Sequence, residues 1–421
     1  MSQRCINDLS TELIIYIFNF LDLRDLGRLR RTCRRFRDII NCWDKIFLKT
    51  TTIVSNQNSE KFLTRCFSII PTKLEKLRLQ HNWKHGIYIE KSMFPIRKKY
   101  MPWIRIDKEN LWFSRGHRIF NYKRNKENII KSKPNYVLTP KYPRNYSGSG
   151  ISTFDVTRFT ISKDILVGGL SDGGVYIQNL EKNFDFYIDK TDNTYTSSVD
   201  ISPDHIMVAS GMRNDCFKIY AVRPDPIGLT HIHTQELGQR VWCVSYCQDK
   251  PLFACGTTAG GPFKKSIWLY DTERYSEILN MKLGHYISST FDMKWDGPNC
   301  LWTCGNDSYL RRWDLRTGQC EQKYHDLFGY SLYCLDYDYF NSIMVGTYLH
   351  GRIALWDIRA EKCVQFYFMH GAGGNAINSP VYSLSFDSEY LFAALDQYLN
   401  ILDFGAYGNR GKHDYIKMFS K

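Results

Sequence analysis

A repeat constrains this chain more than any other feature. Leu301-Trp302-Thr303-Cys304-Gly305-Asn306-Asp307 leads to Leu310-Arg311-Arg312-Trp313-Asp314, and Ile343-Met344-Val345-Gly346-Thr347 leads to Ile353-Ala354-Leu355-Trp356-Asp357, with the two Trp-Asp pairs 43 residues apart. The same register finds Gln178-Asn179, Tyr220-Ala221, Tyr270-Asp271 and Leu402-Asp403. First members therefore stand at 178, 220, 270, 313, 356 and 402, at intervals of 42, 50, 43, 43 and 46. A weaker copy, Leu111-Trp112-Phe113 followed by Ile119-Phe120-Asn121-Tyr122, precedes them and makes seven units. Each unit consists of short alternating apolar runs parted by Gly, Asn and Asp, the pattern of half-buried strands joined by turns.

Before the repeats, residues 6–47 have helical character. Ser10 can cap a helix from Thr11 to Leu21, with Leu9 and Ile14 placed as a hydrophobic staple. Leu13, Ile17 and Leu21 recur every four residues, while Ile14, Ile15, Phe18 and Phe20 make the neighbouring faces apolar as well. Such a helix needs cover on more than one side. Asp22 can cap the next helix, along which Leu26, Leu29, Cys33, Phe36 and Ile40 follow one face and Arg24, Arg28, Arg31 and Arg35 another. One stripe packs; the other meets solvent or an acidic surface.

These residues carry a resemblance. Leu9-Ser10-x-Glu12-Leu13, Ile17-Phe18-x-x-Leu21-Asp22-x-x-Asp25-Leu26, Cys33-Arg34-Arg35-Phe36 and Trp43 together resemble the F-box, although Ser10 stands where that family usually has proline. The repeats resemble WD repeats. Pro102-Trp103, Arg240-Val241-Trp242, Leu332-Tyr333-Cys334-Leu335, Ser379-Pro380-Val381-Tyr382 and Leu402-Asp403-Phe404 extend the likeness to the F-box/WD-repeat family over nearly the whole chain. The implied fold is mainly β, a seven-bladed WD40-type β-propeller preceded by a small all-α F-box domain.

The expected layout is an F-box over 6–48, a partly helical connector over 49–85 and a propeller over 86–421. Blades are expected near 100–125, 151–190, 194–236, 240–282, 284–326, 329–370 and 378–405. An open ring of blades would leave exposed strand edges. The chain after Asp403 lacks a strongly alternating strand, so residues 86–94 are the candidate for the outer strand of the last blade. In the best unit, His285, Thr303, Asp307 and Trp313 occupy the positions at which WD repeats place a hydrogen-bonded structural tetrad.

The resemblance also implies partners. The F-box would dock on a Skp-type adaptor, and through it on a cullin ubiquitin ligase, using Leu9, Leu13, Ile14, Ile17, Phe18, Leu21 and Leu26. The propeller would hold an unnamed protein target. On the face that receives the loops entering the innermost strands, the candidates are Arg240, Arg213, Tyr330, His350 and Arg352. Arg240 leads, because a guanidinium at a channel mouth can bind an acidic or phosphorylated segment bidentately.

Charge and cysteine content narrow the alternatives. The net charge of +13 is concentrated in residues 1–150, where 31 Lys and Arg face 12 Asp and Glu. No nucleic-acid motif accompanies this excess, so a nucleic-acid partner is not expected. Thirteen cysteines, with no apolar run after Met1-Ser2-Gln3-Arg4, point to the reducing cytosol or nucleus and away from membranes. Cys243/Cys247 and Cys300/Cys304 fall in strand-like runs and read as buried thiols, not metal ligands. With no phosphate-cradling loop or catalytic motif, the expectation is a receptor subunit with no cofactor, not an enzyme. The competing class is a WD-repeat interaction scaffold outside ubiquitination.

Overall fold

In the computed structural model the described residues of the helical unit form three α-helices where the sequence suggests two. The structure describes residues 6–18, 20–21, 23–42, 53–95, 101–125, 129–130, 133–140, 154–182, 186–189, 195–211, 215–259, 265–281, 288–360, 363–371, 377–406 and 411–416. Trp43, Asp22, Arg213 and His285 lie outside them. The helices are α1 (Thr11–Phe18), α2 (Leu23–Leu29) and α3 (Arg34–Cys42). The long second helix breaks because the Thr32 hydroxyl donates to the Leu29 carbonyl at 2.7 Å. The Phe36 amide then reaches the Cys33 thiol at 3.4 Å, so Cys33 caps α3 as a serine would. Likewise α1 stops at Phe18, short of Leu21, and the chain closes in a tight turn with the Phe20 amide on the Ile17 carbonyl.

Ile14, Phe18, Leu26, Phe36, Ile39 and Ile40 form the core of this unit, with the Phe18 and Phe36 rings edge to face at 5.3 Å. Arg35, placed by its spacing on a solvent stripe, instead donates to the Leu9 carbonyl at 2.7 Å and to that of Asn7. It ties the start of the chain to α3.

The repeats form seven antiparallel blades among the described residues. Their innermost strands are Ile104–Ile106, Val156–Ser162, Thr196–Ile201, Val241–Tyr246, Ser288–Trp295, Leu332–Tyr337 and Ser383–Phe386. Short polar side chains join neighbouring innermost strands. Thr157 donates to the Thr196 carbonyl at 2.7 Å, Ser197 to that of Val241 at 2.7 Å, Cys243 to that of Thr290 at 3.5 Å and Cys334 to that of Val381 at 3.2 Å. The Ile104 amide closes the circle on Ser383 Oγ at 3.2 Å.

In blade 7, Ile87–Met93 pairs antiparallel with Leu399–Asp403, Ile89 opposite Asp403 and Met93 opposite Leu399. A short Gly411–Lys412 strand adds to its other edge. Chain from before the first blade thus supplies the outer strand of the last, and an edge that would otherwise be open is paired.

The connector is a packed element. Its helices are α4 (Glu60–Leu63) and α5 (Lys73–Lys84), the second capped by Thr72 Oγ1 accepting from the Glu75 amide at 3.3 Å. At its N-terminal end Leu74 packs on the core of the helical unit. At its C-terminal end the buried Trp83 stacks on Phe404 at 3.5 Å and donates its indole N–H to the Ser388 carbonyl at 2.9 Å. A helix covered from two sides needs apolar residues on two sides, which is why α5 shows no single apolar stripe. No described helix is long and apolar enough to cross a membrane.

Candidate functional site

Two surfaces stand apart from the rest of the molecule. The first is the outer side of α1. A single apolar side chain in water is ordinary, but three large ones on so small a unit form an exposed apolar patch. Leu13 is 52% exposed, Tyr16 62% and Phe20 74%, with the Tyr16 and Phe20 rings edge to face at 5.2 Å. Leu13 and Tyr16, three residues apart, share one side of α1, and the turn after the helix brings Phe20 onto Tyr16. Exposed Arg28, Arg31, Arg34 and Arg37 lie on the same unit.

The expected adaptor-binding residues divide. Leu13 faces solvent, and Leu9, Ile17 and Leu21 are half-buried at the rim of the core. Ile14, Phe18 and Leu26 are corrected: they are buried in the unit's own core and offer no surface to a partner. Tyr16 and Phe20 were missed. Because the segment is apolar all round, the four-residue repeat of Leu13, Ile17 and Leu21 drew attention to the wrong edge of the exposed side.

The second surface is the mouth of the propeller channel. In blades 4, 5 and 6 the innermost strand carries a β-bulge: the register skips between Val241 and Cys243, between Thr290 and Asp292, and between Leu332 and Cys334. The skipped residues are Trp242, Phe291 and Tyr333. A bulge leaves one residue unpaired and re-aims its side chain, here into the mouth. Trp103, Tyr195 and Tyr382 join from blades 1, 3 and 7, and blade 2 contributes Arg158. Trp242 meets Phe291 at 5.0 Å, Phe291 meets Tyr333 at 5.2 Å and Tyr333 meets Tyr382 at 6.1 Å, the edge-to-face and tilted contacts that aromatic quadrupoles favour. Outside this ring the exposed Tyr348 stacks on Tyr333 at 5.4 Å. Burial raises the phenols, Tyr382 to about 12, and keeps them protonated.

The charged groups at the mouth are engaged. Arg158 lies over Trp103 at 4.3 Å, donates to the Phe291 carbonyl at 2.7 Å and reaches the Asp292 carboxylate at 3.3 Å. Arg240 lies over Trp242 at 4.2 Å. Tyr330 and His350 meet at 3.4 Å on the same face. Arg352 is corrected. It is 1% exposed, 2.7 Å from Asp326, and enclosed by Phe328 and Phe366, so it holds a blade together and cannot meet a target.

The expected tetrad is also only partly assembled among the described residues. Trp313 donates its indole N–H to Thr303 Oγ1 at 2.9 Å, whereas Asp307 is drawn to Arg311 at 2.7 Å. The thiols Cys243, Cys247 and Cys304 are buried and Cys300 is half-buried; burial pushes Cys243 up to about 12.

Residues 6–49 match the F-box-like family model. The chain is 26% identical to mouse F-box/WD repeat-containing protein 4 over 407 residues, covering 94% of this chain and 92% of that protein. The human F-box/WD repeat-containing protein 4 is also 26% identical, over 406 residues, with the same coverage.

Proposed function

We propose that this chain is the non-catalytic, target-selecting subunit of a Skp–cullin–F-box ubiquitin ligase. The observation that carries the reading is the exposed Leu13, Tyr16 and Phe20 patch on the segment matched by the F-box-like model. Docked on a Skp-type adaptor, the patch would be removed from water. Through α5 the same unit is packed against the propeller, so adaptor and target would be held at a fixed spacing. Ubiquitin transfer then follows from proximity: a tethered target lysine meets the charged conjugating enzyme at a raised effective concentration.

Mixing the purified full chain with a purified Skp-type adaptor and a cullin tests this. A complex that survives size-exclusion chromatography is expected. A chain that elutes alone at micromolar concentrations of each partner would reject the ligase assignment and leave a WD-repeat interaction scaffold.

A further inference from the structure

The aromatic mouth has a specificity that the ligase reading does not assign. Resting on the reading of the propeller as the target-holding part, we propose that the mouth recognises an unphosphorylated protein segment by taking in one large apolar side chain of the leucine, methionine or phenylalanine class.

Size is the first argument. The mouth encloses about 120 Å³, and an apolar cavity of about 150 Å³ accepts benzene. One leucine, methionine or phenylalanine side chain fills that space; a helix or a folded loop does not enter it. Charge is the second. A phosphate needs a guanidinium fork turned toward it, but Arg158 is already directed to Asp292 and the Phe291 carbonyl, and Arg352 to Asp326. A cationic side chain would instead meet the Arg158 and Arg240 guanidiniums, which lie over the two indoles that would otherwise receive it. The aromatic lining, in which the Arg158 charge is already matched by Asp292, suits a neutral apolar group. Hydration is the third: burial raises the Tyr195, Tyr333 and Tyr382 phenols, as expected where water is scarce. Beside the ring the exposed Tyr348 offers a flat surface for the peptide flanking the inserted side chain.

The test pans an unphosphorylated, randomised peptide library against the full chain. Enriched peptides are expected to share one Leu, Met or Phe anchor, and replacing the anchor by Ala should weaken binding at least tenfold. Phe291→Lys, which puts a charge in the mouth, should lose the same peptides. Tyr348→Ala should weaken them at an unchanged melting temperature, because the residue is exposed, and so keeps the test decisive if Phe291→Lys fails to fold. Inorganic phosphate as competitor should have no effect.

Enrichment of anchorless acidic or basic peptides, competition by phosphate, or no enrichment at all would each overturn the proposal. So would anchored peptides that bind Phe291→Lys and Tyr348→Ala as tightly as the parent, since they would sit elsewhere on the propeller. Adaptor retention is measured separately. Anchored binding at the mouth by a chain that ignores the adaptor would support this inference while rejecting the ligase reading.

Discussion

The Arg65 guanidinium, carried by the connector, lies 2.7 Å from the Asp336 carboxylate on the innermost strand of blade 6, and both groups are buried. A second N–H of Arg65 reaches the Tyr337 carbonyl at 2.6 Å. From blade 7 the Ser385 hydroxyl and the Phe386 amide donate to the same carboxylate at 3.1 and 3.3 Å. One acidic side chain therefore joins the connector to two blades. Burial alone would raise its pKa, but the Arg65 and Lys294 charges and the hydrogen bonds from Arg65 and Ser385 together hold it below the ordinary value.

Arg65→Met should destabilise the propeller by about 3–5 kcal/mol, because it leaves Asp336 charged, buried and without its main counter-ion. The double variant Arg65→Met/Asp336→Leu should recover most of that loss, since a packed apolar pair carries no desolvation penalty. Urea unfolding of the three proteins decides. A single variant that unfolds at the parent's midpoint would show that the pair carries no stability.

The same pair sets a pH dependence whose sign follows from the depressed carboxyl. A carboxylate with a folded pKa below its unfolded value, about 3.9, contributes stability above that value and loses it as pH falls through the folded pKa. The stability difference between the parent and Asp336→Asn should therefore be full from neutral pH down to about pH 5 and shrink below about pH 4. Denaturant titrations across that range test it; a constant difference down to about pH 3 would contradict the assignment.

The ring and its seven units were legible because each blade repeats a two-residue alternation and a turn, both local properties. The channel mouth was not. Strict alternation puts Trp242 and Cys243 on opposite faces of a strand, and only the bulge between Val241 and Cys243 turns Trp242 into the channel. Trp103, Trp242, Tyr333 and Tyr382 stand in four separate motifs, and nothing in a linear string shows that they meet. Arg352 misled for a related reason: its position in the repeat suggested the open face, while Asp326, which buries it, belongs to the loop before another strand. The connector's helical character was legible, but its packing was not: a helix covered on two sides shows no single stripe to say which neighbours it meets.

Removing residues 1–52 should leave a folded, monomeric propeller, because Ile53 and Val54 and the rest of the connector remain packed in the core next to blades 6 and 7. Removing residues 1–94 also deletes the Ile87–Met93 strand and exposes the Leu399–Asp403 edge with its unpaired backbone groups. That shorter chain should self-associate or fail to fold. Light scattering on both truncations separates the outcomes, and a monomeric, folded 95–421 chain would show that the ring closes without the borrowed strand.

Arg352→Ala should act on stability, not on recognition. The substitution leaves Asp326, itself 2% exposed, without the guanidinium that pairs with it, at a cost of about 3–5 kcal/mol. Peptides that bind the mouth should retain their affinity at temperatures where the variant is still folded. A selective loss of peptide binding at an unchanged melting temperature would return Arg352 to the target surface.

The patch on α1 and the core beneath it make opposite predictions for neighbouring residues. Leu13 and Phe20 are exposed, so replacing both by Ala should leave the melting temperature of the full chain unchanged. If both side chains are buried on the adaptor, each contributes roughly 1.5–3 kcal/mol, and the double variant should weaken adaptor binding by at least about a hundredfold. Ile14, one residue along the same helix, is fully buried against Phe18 and Leu26. Ile14→Ala should cost about 2–5 kcal/mol of stability in the helical unit by opening a cavity, and should affect the adaptor only through that unfolding. Isothermal titration with a Skp-type adaptor, alongside thermal melts of each variant, distinguishes the two sides of the helix. Undiminished adaptor affinity in Leu13→Ala/Phe20→Ala would place the docking surface elsewhere.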